Sequence, residues 1–359
     1  MMKECKMGLI QKGMKHLFSH GWKKTVRKVF RYLADDGSKA RLDALERRVD
    51  DLERNVSALW SRNSELGFDE LGGRIDYRLT RLEILQYYAS AEKNERLDDN
   101  QKDILRYLQE DYFKGLPRKF PVFSINETGS KPQVSVSKVS VKQEGALWFW
   151  DFSGKKIYLG ENQDAALDSA GALYHEFFED SPHRYLEPEK DGIDVPEGAV
   201  LADVGAAEGL FGMLFVERCK KIYLFESEQC WIDLLKKTFA PYMDKIEIVK
   251  GTVGDGPSDI KLDDFFKDKE PPTFVKMDIE GYEVAALKGM TEIIHSNNPL
   301  SMLICTYHRQ SDWDDFYELL HDRFEITSSP GYFWHMPDPF PPFFRHGVMR
   351  ARKKMENEL

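Results

Sequence analysis

The stretch TFVKMDIEGYEVAALKGM, residues 273–290, decides the fold. It opens as a short apolar run, passes through an acid and a glycine, and continues with apolar residues at helical spacing. That is the pattern of a buried strand feeding a helix. Four charges interrupt it: Lys276, Asp278, Glu280 and Glu283. A buried charge is costly unless it is paired or used. Glu280 and Glu283 fall where a helix starts, and negative charge is favoured there. Asp278 lies at the carboxyl end of the strand, facing a cleft. Lys276 has no such ready explanation.

The same alternation repeats outward from this stretch. AVLADVG, KIYLFE, KIEIVKG, TFVKMDI and LSMLICTYH read as strands, each separated by a helical pattern. Short connections between alternating strands and helices point to a parallel sheet covered on both faces. Upstream, ALWFWDFSGKKIYLGE (146–161) reads as two strands about a turn near Ser153-Gly154, followed by a helix near Ala165–Phe178.

LADVGAAEGLFG (201–212) is a strand that enters a glycine-containing turn before a helix, where open α/β sheets bind nucleotide-like ligands. Gly205 and Gly209 allow the turn. The dinucleotide fingerprint needs a glycine two residues after Gly205, and Ala207 stands there. A ligand without phosphates is therefore preferred, and a nicotinamide dehydrogenase is disfavoured. Glu226 closes the next strand 21 positions after Gly205 (226 against 205). An acid at that distance can accept both hydroxyls of a ribose.

These residues resemble the FkbM-type S-adenosylmethionine-dependent methyltransferases. The resemblance rests on D-V-G-A-x-x-G from Asp203, the F-E pair ending at Glu226, KLDDFF (261–266) and K-M-D-I-E-G-Y-E-x-x-x-L-K-G from Lys276. It spans about residues 170–355. It implies a class I methyltransferase domain: a seven-stranded, doubly wound, Rossmann-like α/β sheet with one antiparallel strand. FEITSSP (324–330) and RHGVMRARK (345–353) would form the last strand pair. It also implies S-adenosyl-L-methionine as cofactor and a hydroxyl of a sugar or secondary metabolite as acceptor.

On that resemblance, Gly205, Ala206, Ala207 and Gly209 form the cofactor loop. Asp203 and Asp278 stand near the methionine moiety, Glu226 with Ser227 near the ribose, and Asp255 near the adenine. Ala207 departs from the family, where a polar residue such as Asn is frequent, which weakens side-chain assignments in the loop. His308, just past the fifth strand, is the first candidate for a general base. Glu280 is the alternative, and Asp278 shares the same sheet edge. His175 and His183 either line the acceptor pocket or are surface histidines. Asp255, Asp278, Glu280 and His308 have no tight ligand spacing, so no metal is expected.

The chain has 359 residues, enough for roughly two or three structural units. Its boundaries read as a basic amphipathic segment (1–37), a coiled coil (38–66), a helical linker region (67–117), a small β-rich segment (118–165) and the methyltransferase domain (166–359). Residues 1–33 carry nine Lys or Arg and one acid, which leaves 42 basic and 60 acidic residues elsewhere. An acidic body argues against nucleic-acid binding. The basic start can pack on that body or lie on an anionic membrane surface.

Residues 42–66 keep strict 3-4 spacing. Leu42, Val49, Val56 and Asn63 fill position a, and Leu45, Leu52, Leu59 and Leu66 fill position d. Valine at a, leucine at d and one asparagine at a suit a parallel dimer. Arg41 and Arg48 at g match Glu46 and Glu53 at e across such a pair; a trimer stays open. YFWHMPDPFPPFFRH (332–346) is a stiff aromatic loop that can stack on a sugar, act as a lid or touch a dimer mate.

The four cysteines form no C-x-x-C pair, so neither a zinc site nor a disulfide framework is expected. That argues for the reducing cytosol, with peripheral contact at the inner membrane surface as an option. No run approaches the about 18 apolar residues of a membrane span. Three functions remain: methylation of a saccharide or glycan precursor, methylation of a small metabolite, and a coiled-coil scaffold that binds ligand without turning it over.

Overall fold

The computed structural model describes residues 84–85, 87–88, 97, 101–102, 105, 122–123, 138–178, 182–187, 192–329, 331–333 and 344–354. The basic segment, the heptads of 42–66 and most of the linker region lie outside the described residues.

A short strand, β1 (Val122–Phe123), precedes an antiparallel sheet of β2 (Val141–Glu144), β3 (Leu147–Phe152) and β4 (Lys155–Gly160). Ser153 and Gly154 turn β3 into β4 with φ of 51° and 84°. Both central residues are left-handed, as a type I′ hairpin turn requires. Helix α1 (Gln163–Phe178) follows, started by the Asn162 side chain, which accepts the Ala165 N–H at 2.9 Å.

The main sheet then builds in order: β5 (Val200–Val204), α2 (Leu210–Phe215), β6 (Lys221–Glu226), α3 (Gln229–Thr238), β7 (Ile246–Lys250) and α4 (Leu262–Phe266). β8 (Phe274–Met277), α5 (Glu283–Lys288), α6 (Thr291–His295), β9 (Ser301–Cys305) and α7 (Asp312–Leu320) come next. The chain ends with β10 (Phe324–Ser328), β11 (Tyr332–Phe333) and β12 (Val348–Lys353); β11 pairs in parallel with β1.

The seven strands lie in the order β10-β12-β9-β8-β5-β6-β7. β12 is antiparallel to both β9 and β10, and the remaining pairs are parallel. The order reverses between β5 and β8, where the chain leaves one edge and returns to the centre. Ligands bind at such a switch, beyond the carboxyl ends of the strands.

Period-two alternation divides the core into two layers. Leu201, Leu224, Phe274 and Leu303 pack on one face with Leu173 of α1, Phe211 of α2, Leu235 of α3 and Phe239 just past α3. Ala202, Phe225, Val275 and Ile304 pack on the other with Leu262, Leu287, Ile293 and Phe316. The small sheet shares the first layer through Trp150, Ile157 and Leu159. Gly209 lets α2 approach α3: a Cβ there would sit 2.6 Å from Leu235 and 2.7 Å from Phe239.

Among the described residues, no helix is long and apolar enough to cross a membrane. Cys219 and Cys305 are free and buried.

Candidate functional site

Asp203 and Lys276 explain one another. They are register partners on the adjacent parallel strands β5 and β8, so their side chains share a face. Lys276 Nζ lies 3.3 Å from Asp203 Oδ1 and donates to the Gly205 carbonyl at 2.6 Å. Asp203 is 0% exposed. Burial opposes the charge on Lys276, but Asp203 and Asp278 hold its pKa above the usual lysine value. Asp203 therefore offers no surface to a ligand. It anchors the ammonium that anchors the loop.

The loop itself is tight. Gly205 and Ala206 donate to the Phe225 carbonyl at 3.0 and 3.1 Å. Gly205 has φ 79°, and a Cβ there would overlap the Asp278 carbonyl oxygen. Its glycine is needed to bring the β5 turn against the β8 turn. Ala207 takes φ 44°, a left-handed conformation uncommon outside glycine. Glu226 fixes that residue: its Oε2 accepts the Ala207 N–H at 3.0 Å. Its Oε1 accepts the N–H groups of Ser227 and Glu228 at 2.7 and 2.8 Å. Loop and acid thus form one preorganised edge. Asp255 is exposed on the loop after β7, three strands across the sheet from β8.

The second half of the site surrounds Asp278. Tyr185 donates its hydroxyl to Asp278 Oδ2 at 2.8 Å and lies 3.4 Å from Cys305 Sγ. Lys276 Nζ sits 5.8 Å from the Tyr185 ring centre. Burial works to raise the Asp278 pKa, but Lys276, His308 and the Tyr185 hydroxyl outweigh it and hold the carboxylate ionised. Burial in turn pushes the Tyr185 hydroxyl well above its ordinary value, so it remains a donor.

His308 is enclosed by acids. Its Nε2 lies 3.5 Å from Asp278 Oδ1 and 3.8 Å from Glu280 Oε2, and its Nδ1 lies 3.0 Å from Glu283 Oε1. The side chain is 5% exposed. Burial disfavours its charge, but the Glu283 contact and the Asp278 and Glu280 carboxylates push its pKa up to about 9. At neutral pH it is an imidazolium, and it becomes a base only after losing that proton.

The structure brings Asp278, Glu280 and His308 together at the sheet edge, beyond the carboxyl ends of β8 and β9. It places Glu280 differently within that edge. α5 starts only at Glu283, and Glu280 sits in the preceding turn at φ 57° with its side chain 83% exposed. Glu283, read as a helix-start acid, does reach back to accept the Ile279 N–H at 2.9 Å, and it also holds His308. His183 is buried, 3.8 Å from Glu176 and edge-on to Tyr307 at 4.7 Å. His175 is half-buried in the last turn of α1.

Tyr185 had no sequence signal at all: it lies in an irregular segment between α1 and β5. Lys276 had one. A lysine inside an apolar strand, beside another strand with an internal aspartate, implies a buried pair once the two strands are neighbours.

A mixed seven-stranded sheet reversing at β5 and β8 carries on one edge a glycine turn, a strand-end acid and a second acid across the switch, a Rossmann-like α/β arrangement. Residues 247–326 match the family model described as the methyltransferase FkbM domain. That segment contains most of β7 through most of β10, including the stretch 273–290. Similar solved structures include methyltransferase FkbM from Methylobacillus flagellatus KT, 22% identical, with a TM-score of 0.36 over 52% of this chain and 54% of that one. This chain thus spans about half the length of that protein. A putative methyltransferase from Streptococcus mutans in complex with SAH is 12% identical, with a TM-score of 0.31 over 44% and 90% of the two chains. Precorrin-6y C5,15-methyltransferase from Geobacter metallireducens GS-15 is 12% identical, with a TM-score of 0.31 over 46% and 85%. No curated protein matches the chain.

Proposed function

We propose that the protein is an S-adenosylmethionine-dependent O-methyltransferase whose acceptor is a hydroxyl of a saccharide or glycan precursor. The observation that carries this reading is the single edge formed by the Gly205–Gly209 loop, Glu226 and the Asp278–His308 pair. Glu226 binds the ribose hydroxyls. Asp278, held ionised, faces the cationic sulfonium end of the cofactor. Asp203 and Lys276 act behind the loop and keep its backbone in place.

The reaction forms an O–C bond to the methyl carbon while the C–S bond breaks, and the sulfur keeps the electron pair as a thioether. Alignment of the acceptor oxygen supplies much of the rate. His308, once it has lost its own proton, would accept the hydroxyl proton. Carboxylates and an imidazole on one rim, with the Tyr307 ring tilted 46° to the His308 ring at 4.3 Å between centres, suit a polyhydroxylated acceptor.

The test is turnover of labelled S-adenosylmethionine against glycan and metabolite extracts, read by mass spectrometry. Methyl transfer to a saccharide supports the proposal, and transfer only to a non-sugar metabolite replaces its acceptor. His308→Ala should abolish turnover with little change in cofactor affinity; undiminished turnover removes His308 as the base. The heptads at 42–66 join two such chains in parallel on this reading, and removing residues 1–66 should give monomers by light scattering. A persistent dimer would place the joint elsewhere.

A further inference from the structure

Asp278, Glu283 and His308 come from the end of β8, the start of α5 and the loop after β9. Each offers one donor atom, and these atoms all lie within 4.8 Å of one another. Donor atoms around one Zn²⁺-sized ion lie about 3 Å apart when adjacent and about 4.2 Å when opposite, from bond lengths near 2.1 Å. The cluster therefore needs only a small contraction to close on an ion.

A separate observation points the same way. Glu283 is 0% exposed, and its Oε1 accepts the Ile279 N–H at 2.9 Å. Its Oε2 is buried and has no hydrogen-bond partner among the described residues. An anionic oxygen out of water and without a donor is costly. Native structures resolve such an atom with a proton, an ordered water or a cation. The surroundings are acidic on several sides. Glu280 faces the same histidine, and Asp312, at the start of α7, is 1% exposed with an Oδ1 that also lacks a hydrogen-bond partner. Asp312 Oδ2 is taken by the Arg309 N–H at 2.6 Å. Lys276 is already engaged by Asp203, and the proton on His308, beside Glu283 at 3.0 Å, is the charge that a bound ion replaces.

We propose that Asp278, Glu283 and His308 form a binding site for one divalent cation of the Mn²⁺ or Zn²⁺ type. An imidazole among carboxylates suits such ions, whereas Ca²⁺ takes oxygen ligands throughout. This departs from the expectation of no metal. The donors were hidden because they straddle a strand–helix turn and a neighbouring strand instead of sharing one helix face. The role of the ion rests on the methyltransferase reading: an acceptor hydroxyl that completes the shell loses its proton more readily. With His308 engaged as a ligand, the O–H bond breaks toward Glu280, exposed at the rim, in place of His308.

Binding of Mn²⁺ alone to the full chain, stripped with EDTA and free of cofactor, tests the site by electron paramagnetic resonance. The expected result is stoichiometric Mn²⁺, displaced by Zn²⁺, with affinity falling at least about tenfold in both Asp278→Asn and His308→Ala. Asp278→Asn keeps the side chain's shape, and circular dichroism checks that both variants fold. Glu270→Gln, on an exposed ion pair with Lys220, should bind as the parent does. No bound Mn²⁺ or Zn²⁺, or binding unchanged in both folded variants, overturns the proposal. Cofactor calorimetry on the stripped protein is read separately. Cofactor binding without metal binding would sink this inference and leave the methyltransferase reading standing.

Discussion

Replacing Lys276 by methionine keeps most of the side-chain volume and removes only the ammonium. That ammonium sits 3.3 Å from a carboxylate with no exposure and donates to a carbonyl at 2.6 Å. Breaking a buried pair from one side costs about 3–5 kcal/mol, because the remaining charge stays uncompensated. The lost bond to the Gly205 carbonyl overlaps with that figure and is not added to it. With a urea m-value of about 3 kcal/mol/M, the midpoint should fall by roughly 1–2 M at pH 7.

The loss should also depend on pH. Burial pushes the Asp203 carboxyl above its ordinary value, and Lys276 opposes that push. Without Lys276 the folded-state pKa rises further above the unfolded value of about 3.9. A raised folded pKa means that the folded state holds the proton more tightly. Its contribution is complete below about pH 4 and is lost as pH rises through the folded pKa. The gap between parent and variant should therefore be small near pH 4 and widen toward pH 7. Asp203→Asn combined with Lys276→Met should remove that pH dependence and recover most of the stability. A single variant within about 1 kcal/mol of the parent at pH 7, or an equal gap at both pH values, would refute the account.

Two other substitutions probe the same edge. Gly205→Ala places a Cβ on the Asp278 carbonyl at a left-handed φ, so stability should fall by about 2–4 kcal/mol in urea unfolding; a loss under about 1 kcal/mol would show that the two turns can part freely. Tyr185→Phe removes a hydrogen bond to an ionised carboxylate and should cost about 1.5–3 kcal/mol in the same assay, while a neutral result would mean that Asp278 is held by Lys276 and His308 alone.

The sheet was legible because its signals are local. VLADV, KIYLFE and FVKM are buried along their length, and each is followed by a residue or turn that a strand–helix corner needs. Asp278, Glu226 and His308 were legible for the same reason: they sit at strand ends, and strand ends in a parallel sheet share one edge. What the sequence concealed is neighbourhood. The Asp203–Lys276 pair exists only because β5 adjoins β8, an adjacency that skips β6 and β7 in the chain. Tyr185 reaches Asp278 across 93 positions, from a segment with no periodicity. Gly205 was read as freedom for the turn, and its missing Cβ also makes room for the Asp278 carbonyl. Glu283 was read as a helix-start acid. That reading is correct for one of its oxygens and silent about the histidine beside it.

The central claim is that this edge binds S-adenosylmethionine, and calorimetry on the full chain measures it directly. Binding should be saturable and should weaken by about tenfold or more in Glu226→Ala, with the loss of hydrogen bonds to a charged group worth about 1.5–3 kcal/mol. Glu226→Gln should fall between the two. No heat of binding with the intact protein, or affinity unchanged in Glu226→Ala, would contradict the account.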